Sequence, residues 1–346
     1  MKQIQKNKID KILLSSAHSI FDTVKCLNRT NFQVCLVVDD KKKLLGTITD
    51  GDIRRAIIKR VNFQNKISSI MNKNPIFVYE NFDVDNAKKL MKKKSVLQLP
   101  VLNRKKEVIN IIIWKDEKNL TNTDRIIIMA GGLGKRMRPL TNKIPKPMIM
   151  IQKKPILEHI ILKLKSQGFV NITISVRYLG DKIKKFFKNG KKYGVNIDYI
   201  NEKKVLGTAG PLSFVKLKKE ENECIIINAD TIFDLNLNEL LIFHKKRKSL
   251  MTMAIRQEFL KSSYGIIKSK GFKFDNIEEK PIITTYVNAG IYIINNKILK
   301  QIKKNRYLDM PDLFNKLKAK NNKKIYLFPI YEKYQEVGTL KDLKKF

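Results

Sequence analysis

Residues 125–148, RIIIMAGGLGKRMRPLTNKIPKPM, constrain the fold of this 346-residue chain more than any other stretch. Ile126, Ile127, Ile128 and Met129 form an apolar, β-branched run of the kind that lies in a parallel sheet covered on both faces, and the run stops at glycine. Gly131, Gly132 and Gly134 carry no Cβ, so the loop can turn sharply and present backbone N–H groups to an anion. Arg136, Arg138 and Lys146 add cations to the same short segment, and Pro139, Pro145 and Pro147 stiffen it. Three glycines after a strand serve equally well in an ordinary βα turn. It is the strand, the glycines, the arginine and the Pro-Lys-Pro together that point to nucleotide chemistry. The segment is neither a Walker loop, since Gly134-Lys135 is followed by Arg136 instead of Ser or Thr, nor a GxGxxG turn.

The residues that follow predict alternating helices and strands: an amphipathic helix over Pro155–Gln167, a strand over Asn171–Val176, a helix over Asp181–Lys188 and a strand over Val195–Ile200. That alternation implies an α/β fold, a doubly wound, mostly parallel sheet with ligands at the carboxyl ends of its strands. After the last of these strands, NEKKVLGTAGPL (201–212) offers small residues at the sheet mouth, either a plain loop or a bed for a flat base. CIIINADT (224–231) reads as a buried strand ending in Asp230. There the carboxylate either caps a turn or shares a Mg²⁺ with phosphate oxygens, because Mg²⁺ takes few protein carboxylates. Tyr264–Ile267 and Phe272–Ile277 predict a β-hairpin leading to Glu278-Glu279-Lys280-Pro281. His159 lies among apolar residues as a core histidine would, and His18 and His244 have no partner pattern, which argues against a histidine metal site.

The first 120 residues contain an internal repeat at a constant offset of 64, pairing ILLSSAHSIFDTVKCL from Ile12 with IFVYENFDVDNAKKLM from Ile76. Each unit predicts a strand, a helix, a strand at Val34–Val38 or Leu99–Leu102, a charged turn and a strand at Leu44–Thr49 or Val108–Ile113, so the two should pack about a pseudo-twofold axis. The expected organisation is a repeat pair over 1–118, with units of about 8–62 and 66–118, a polar linker over 119–124, and a larger domain over 125–346.

Composition narrows the function. The net charge of +39 invites a nucleic-acid reading, but it rests on 59 lysines against 12 arginines spread over the whole chain, with no arginine stripe or interleaved aromatics. No specific nucleic-acid partner is therefore expected. Apolar runs are too short to span a bilayer and the first residues lack a signal-peptide core, which leads us to expect a cytoplasmic protein without a membrane partner. Cys26, Cys35 and Cys224 form no CxxC pair and sit in apolar segments, as buried reduced thiols do.

The segment 125–148 closely resembles the signature of the sugar-nucleotide pyrophosphorylases, or sugar-1-phosphate nucleotidylyltransferases, near GGxGTRLRPLT followed by PKPM. The resemblance runs from about Arg125 to the C-terminus. It implies a Rossmann-like (GT-A-type) domain, an NTP and a sugar 1-phosphate as substrates, and Mg²⁺ as cofactor. Carried residue by residue, it makes Arg136, Lys146 and Asp230 catalytic and sets Ala130, Gly131, Gly132 and Gly134 on the nucleotide. It lays Leu206, Gly207 and Thr208 against the base. It places Glu279 and Lys280, with Gly265 and Asn288, around the sugar and its phosphate. Asp230 would be a metal ligand, and Glu336, in YQEVGT, stands where the family has the aspartate of W-x-D-x-G-T as the second. Tyr334 for Trp and Lys135 for Thr are further departures.

The repeat, and GTITDGDIRRAI (46–57) in particular, resembles a tandem pair of CBS domains (a Bateman module), which commonly hold adenine nucleotides. Thr49 and Asp52 match the ligand-contacting positions in the first unit and Asp116 in the second, where Ile113 replaces the hydroxyl residue and Asn110 the glycine found at Gly46. The pair either senses an adenine nucleotide or only folds, dimerises and positions the larger domain, with Asp52 capping a helix from Ile53; a homodimer or higher homo-oligomer is expected. The CBS pair, the LGTAG loop and YLDMPDLF (307–314) together are similar to guanylyltransferases of bacterial nonulosonic (legionaminic) acid pathways, which make GDP-glucosamine, so GTP is the favoured nucleotide. Mannose- or heptose-1-phosphate guanylyltransferases and uridylyl- or thymidylyltransferases are alternatives. A rival of another class is a catalytically degenerate nucleotide-sensing CBS protein, which Glu336 and Lys135 favour and the intact Arg136, Lys146, Asp230 and Lys280 oppose.

Overall fold

The chain divides into two units, Met1–Lys118 and Asn119–Phe346. The computed structural model describes residues 2–3, 9–30, 32–94, 96–114, 124–218, 221–320, 323–344 and 346. The expected linker and Asp116 lie almost wholly or wholly outside these residues.

In the first unit the 64-residue offset is visible bond by bond. Val34–Val38 and Leu44–Thr49 form one hairpin, Gln98–Leu102 and Val108–Ile113 the other, each with a short parallel strand on its edge, Leu13–Ser15 or Val78–Tyr79. Both hairpins shift register at the equivalent step, between Val37 and Val38 and between Val101 and Leu102. Both turns are held by the same side-chain geometry: Asp39 Oδ1 accepts from the N–H groups of Lys41 and Lys43, and Asn103 Oδ1 from those of Lys105 and Glu107. The turns then bond to each other reciprocally, Leu44 N–H to the Lys106 carbonyl at 3.1 Å and Val108 N–H to the Lys42 carbonyl at 2.9 Å. Ile9, Ile12, Val34 and Leu36 share a core with Leu102, Val108 and Ile111 across this axis. Helices Ile20–Thr30 and Val84–Lys94 occupy equivalent places. A third helix, Asp50–Ile58, begins earlier than the sequence suggested. Thr49 is its N-cap and Asp52 its third residue, so Asp52 closes a capping box instead of capping the helix itself.

The second unit is built on a seven-stranded sheet. In chain order its strands are β1 (Arg125–Ala130), β2 (Asn171–Val176), β3 (Asn196–Asn201), β4 (Glu223–Asn228), β5 (Met251–Lys261), β6 (Ile282–Asn295) and β7 (Ile325–Ile330), and in space they run β3-β2-β1-β4-β6-β5-β7. β1 to β4 are parallel, β5 and β7 pair in parallel, and β6 is antiparallel to both neighbours. Alternation along β1 explains the two-layered cover. Ile126 and Ile128 pack with α1 (Ile156–Ser166) through Ile156, Leu157, Ile160, Ile161 and Leu164, an i, i+4 stripe. Ile127 faces the other way, with Ile226, toward α4 (Met310–Ala319) and its Met310, Leu313, Phe314 and Leu317. Two further helices, α2 (Gly180–Phe187) and α3 (Leu237–Lys246), complete the first layer. Each fully buried Ile or Leu here contributes about 1.5–3 kcal/mol. No helix of the described residues is long and apolar enough to cross a membrane, and all three cysteines are buried and free.

Candidate active site

Because β1 to β4 are parallel, the loops after Ala130, Val176, Asn201 and Asn228 emerge at one edge of the sheet. They enclose a cleft of about 380 Å³. Ala130, Gly131, Gly132, Gly134, Lys135, Arg136 and Lys146 line it from the first loop, Arg177 from the second, Glu202, Val205, Gly207 and Thr208 from the third, and Asn228, Ala229 and Asp230 from the fourth.

The glycines differ in what they do. At Gly134 φ is +62°, and a Cβ would sit 2.9 Å from Thr141 Cγ2, so only glycine closes the turn. A Cβ on Gly131 would meet Glu202 Oε1 at 2.4 Å. A Cβ on Gly132 would meet nothing within 4 Å. The protein itself makes no steric demand for glycine at 132; the open space beside it is where an anion would approach the backbone.

The cations are held against acids. Lys146 Nζ pairs with Asp230 Oδ2, both largely buried, and an Arg136 guanidinium nitrogen lies 3.6 Å from Glu336 Oε1. A two-stranded ladder brings the acids together: Thr231–Phe233 pairs antiparallel with Tyr334–Glu336, Glu336 opposite Thr231, and Val337 N–H donates to the Asp230 carbonyl at 2.8 Å. Tyr334 anchors that strand by donating its hydroxyl to the Ala289 carbonyl at 2.7 Å. The donor set suits Mg²⁺, two carboxylates from adjacent positions with substrate phosphates and water to fill the shell. Among the described residues no group of three or more His, Cys, Asp and Glu could hold a metal alone.

On the opposite wall Gly207 has φ +77°, and a Cβ there would lie 2.5 Å from the Leu308 carbonyl oxygen. Thr208 donates its N–H (2.9 Å) and hydroxyl (3.1 Å) to Asp309 Oδ1, and its hydroxyl accepts from Met310 N–H at 2.8 Å. The YLDMPDLF segment is thus the buttress of the LGTAG loop. Leu206, expected against the base, is buried and does not line the cleft; its carbonyl accepts from Leu308 N–H, and it acts as a core anchor of the loop.

Sequence reasoning passed over Glu202 and Arg177. Glu202 accepts from the buried Ser175 hydroxyl at 2.8 Å, and burial pushes its carboxyl above the usual carboxylate range against the pull of that bond and of Arg177. The signal was available: an acid immediately after a parallel strand's carboxyl end, the same logic that singled out Asp230.

The expected sugar-side residues do not line the cleft. Gly265 and Glu279 are brought together, a Cβ on Gly265 lying 2.8 Å from Glu279 Oε2, and both border the hairpin of strands Ile266–Lys270 and Lys273–Glu278. Lys280 follows at φ +45°. Asn288 lies on β6, donating to the Tyr292 hydroxyl and accepting from Gly290 N–H. In the first unit Thr49 gives both its N–H (2.8 Å) and hydroxyl (2.7 Å) to Asp52 Oδ2, while Asp52 Oδ1 accepts from Arg55 at 2.6 Å. His159 bonds the Ile151 carbonyl at 2.8 Å and His244 the Thr252 hydroxyl at 2.8 Å, as structural histidines do.

Comparison with known proteins agrees with this geometry. The CBS-domain family model matches residues 9–59 and 67–116. The chain is 34% identical over 223 residues to a mannose-1-phosphate guanyltransferase of Yarrowia lipolytica, covering 62% of this chain and 61% of that protein. It is 32% identical over 213 residues to a UTP–glucose-1-phosphate uridylyltransferase of Synechocystis, covering 56% of this chain and 55% of that protein. This chain thus spans about three fifths of the length of such relatives. Among solved structures, HddC of Yersinia pseudotuberculosis complexed with GMP-PN superposes with a TM-score of 0.51 at 25% identity, over 64% of this chain and 97% of that one. With the nucleotidyl transferase model matching all of residues 125–346, the chain belongs to the nucleotidyl transferase family.

Proposed function

We propose that the second unit joins an NTP to a sugar 1-phosphate and releases pyrophosphate, and that GTP is the nucleotide it prefers. The observation that carries this reading is the convergence of Arg136–Glu336 and Lys146–Asp230 on the glycine loop of one cleft. An oxygen of the sugar phosphate attacks the α-phosphorus, and the bond to the β-phosphate breaks with its electron pair leaving on pyrophosphate. The attacking phosphate is already ionised at neutral pH, so the protein supplies no nucleophile; it positions and neutralises charge. N–H groups of Gly131 and Gly132 receive the triphosphate, Arg136 holds the leaving pyrophosphate and Lys146 meets the α-phosphate; the family resemblance assigns the incoming sugar phosphate to Lys280, which does not line the cleft in this structure. Arg136 and Lys146 start in ion pairs with acids that a triphosphate would displace. Asp230 and Glu336 would hold Mg²⁺, which would supply charge neutralisation for the phosphates.

Glu202 supports guanine. An ionised carboxylate is an acceptor pair, and guanine presents two adjacent donors, N1–H and its exocyclic amine, where uracil and thymine present one N–H. The mannose-1-phosphate guanyltransferase relatives and the GMP-PN complex of HddC point the same way. For the sugar, resemblance to nonulosonic-acid enzymes favours glucosamine 1-phosphate, with mannose 1-phosphate the alternative. An adenine nucleotide at the CBS pair would have to take over the bonds that Thr49 and Asp52 now give each other. The test is pyrophosphate release with Mg²⁺ across the common NTPs and glucosamine, N-acetylglucosamine, mannose and glucose 1-phosphates, with and without AMP or ATP. Turnover confined to GTP supports the reading; turnover with another NTP alone overturns the guanine assignment, and no pyrophosphate from any pair overturns the reaction.

A further inference from the structure

β5 and β6 outrun the sheet they belong to. β7 pairs with β5 only over Met251–Arg256, and β4 with β6 only over Ile291–Asn295. Beyond these limits Gln257–Lys261 and Ile282–Tyr286 form a ladder with each other and lead to the Ile266–Lys270/Lys273–Glu278 hairpin, whose second strand is exposed along its whole length. This arm is apolar where a solvated arm would be polar. Phe259, Tyr264 and Phe274 are 61%, 80% and 67% exposed, and Phe272 is fully exposed. Leu260 opposite Ile283 and Ile267 opposite Ile277 add exposed aliphatic pairs. Together the four aromatic residues leave about 600 Å² bare along the arm. Successive strand residues point to opposite faces, so Phe259 lies on the other face from the Leu260–Ile283 pair and the apolar surface is shared between the two faces of the arm.

Charge identifies the occupant. Residues 258–284 hold five lysines and four carboxylates in a chain of net charge +39. Two of those lysines are paired within the arm, Lys268 with Glu278 at 3.7 Å and Lys270 with Asp275 at 3.2 Å. An acidic partner would be drawn to the lysine surface elsewhere and would find little here. A second copy of the same strongly basic chain meets less repulsion at this near-neutral apolar arm. We propose that two chains associate isologously through the 258–284 arm. Gly265, Glu279 and Lys280 sit on it, so association also fixes the sugar-phosphate side of the site; that second consequence rests on the function proposed above.

Sedimentation of the full chain over a wide concentration range tests the first part. Phe272→Ser/Phe274→Ser removes two exposed rings and no internal contact of the core. It should weaken association at least about tenfold, lowering the assembly by one step even if the CBS pair also associates. Added salt should strengthen wild-type association by screening the repulsion. Hydrogen exchange over 264–280 should slow as wild-type concentration rises and not in the double variant. A monomer at every concentration, or an assembly unchanged by the double variant, overturns the proposal. If the variant loses mass but keeps the wild-type KM for sugar 1-phosphate at equal concentration, the link to the sugar site is overturned. Mass and exchange are read without turnover, so an inactive protein would sink the proposed reaction and leave this test standing.

Discussion

Gly132→Ala separates ligand space from folding space. A methyl group at Gly132 meets no atom within 4 Å and its φ lies outside the left-handed region, so the native backbone accepts it. The loss of unfolded-chain entropy should leave the variant as stable as the parent or about 0.4–1 kcal/mol more so. The same methyl occupies the approach of an anion to the loop's N–H groups. Displacing one charge-assisted hydrogen bond costs about 1.5–3 kcal/mol, or about 10- to 150-fold in nucleotide affinity. Gly134→Ala is the contrast: with φ +62° and a Cβ 2.9 Å from Thr141, it should lose stability and binding together. Thermal melting and titration with the preferred NTP read the two effects separately. A Gly132→Ala protein that melts normally and binds nucleotide normally would refute the idea that this loop receives phosphate.

Other expectations follow from the same geometry. Asp230→Asn and Arg136→Ala should each lower kcat about 100-fold or more, since each removes a charge facing the phosphates; near-normal turnover in a pyrophosphate assay would remove that residue from the mechanism. Glu202→Gln keeps the shape but replaces one acceptor with a donor, and the GTP preference in kcat/KM should fall about 10-fold or more; an unchanged ratio would end its role in reading the base. His244 is buried with Nε2 unpaired, and burial pulls its pKa from 6.5 to about 4. Between those pH values the unfolded chain binds the proton and the folded one does not, so stability should fall by about 3 kcal/mol as pH drops from 6.5 to 4. Glu202 and Glu223, raised by burial, titrate with the opposite sign. The stability difference between wild type and His244→Asn, followed by denaturant titration against pH, isolates the histidine, and parallel curves would refute it.

Much of this was legible because it is local. The strand ending at Ala130, the glycines and the Pro-Lys-Pro are contiguous, and the repeat could be aligned without knowing how its halves touch. Asp230 was legible because it closes an apolar run; Glu202 closes one too, but a run with Asp198 and Tyr199 inside it, half exposed at the sheet edge. The helix was expected from Ile53 with Asp52 as its cap; Thr49 and Asp52, three apart, have the capping-box spacing that puts its start at Asp50. The antiparallel insertion of β6 and the length of the arm have no local signature, since both depend on which strands find each other across tens of residues. Leu206 was placed by its motif, and only the packed loop shows that its neighbours at 207 and 208, not its own side chain, face the cleft.

The ladder between Thr231–Phe233 and Tyr334–Glu336 joins residues a hundred positions apart. A chain emerging from the ribosome would display the glycine loop, Lys146 and Asp230 long before the strand that carries Glu336. Until that strand docks, Asp230 lacks the N–H of Val337 and Arg136 lacks its carboxylate, so the cleft has Glu202, Asp230 and its cations but not Glu336. In such an intermediate Arg136, without its carboxylate, is open to any stray phosphate. The site is completed late in synthesis, and a stop after residue 330 would remove Glu336 together with the strand that positions it.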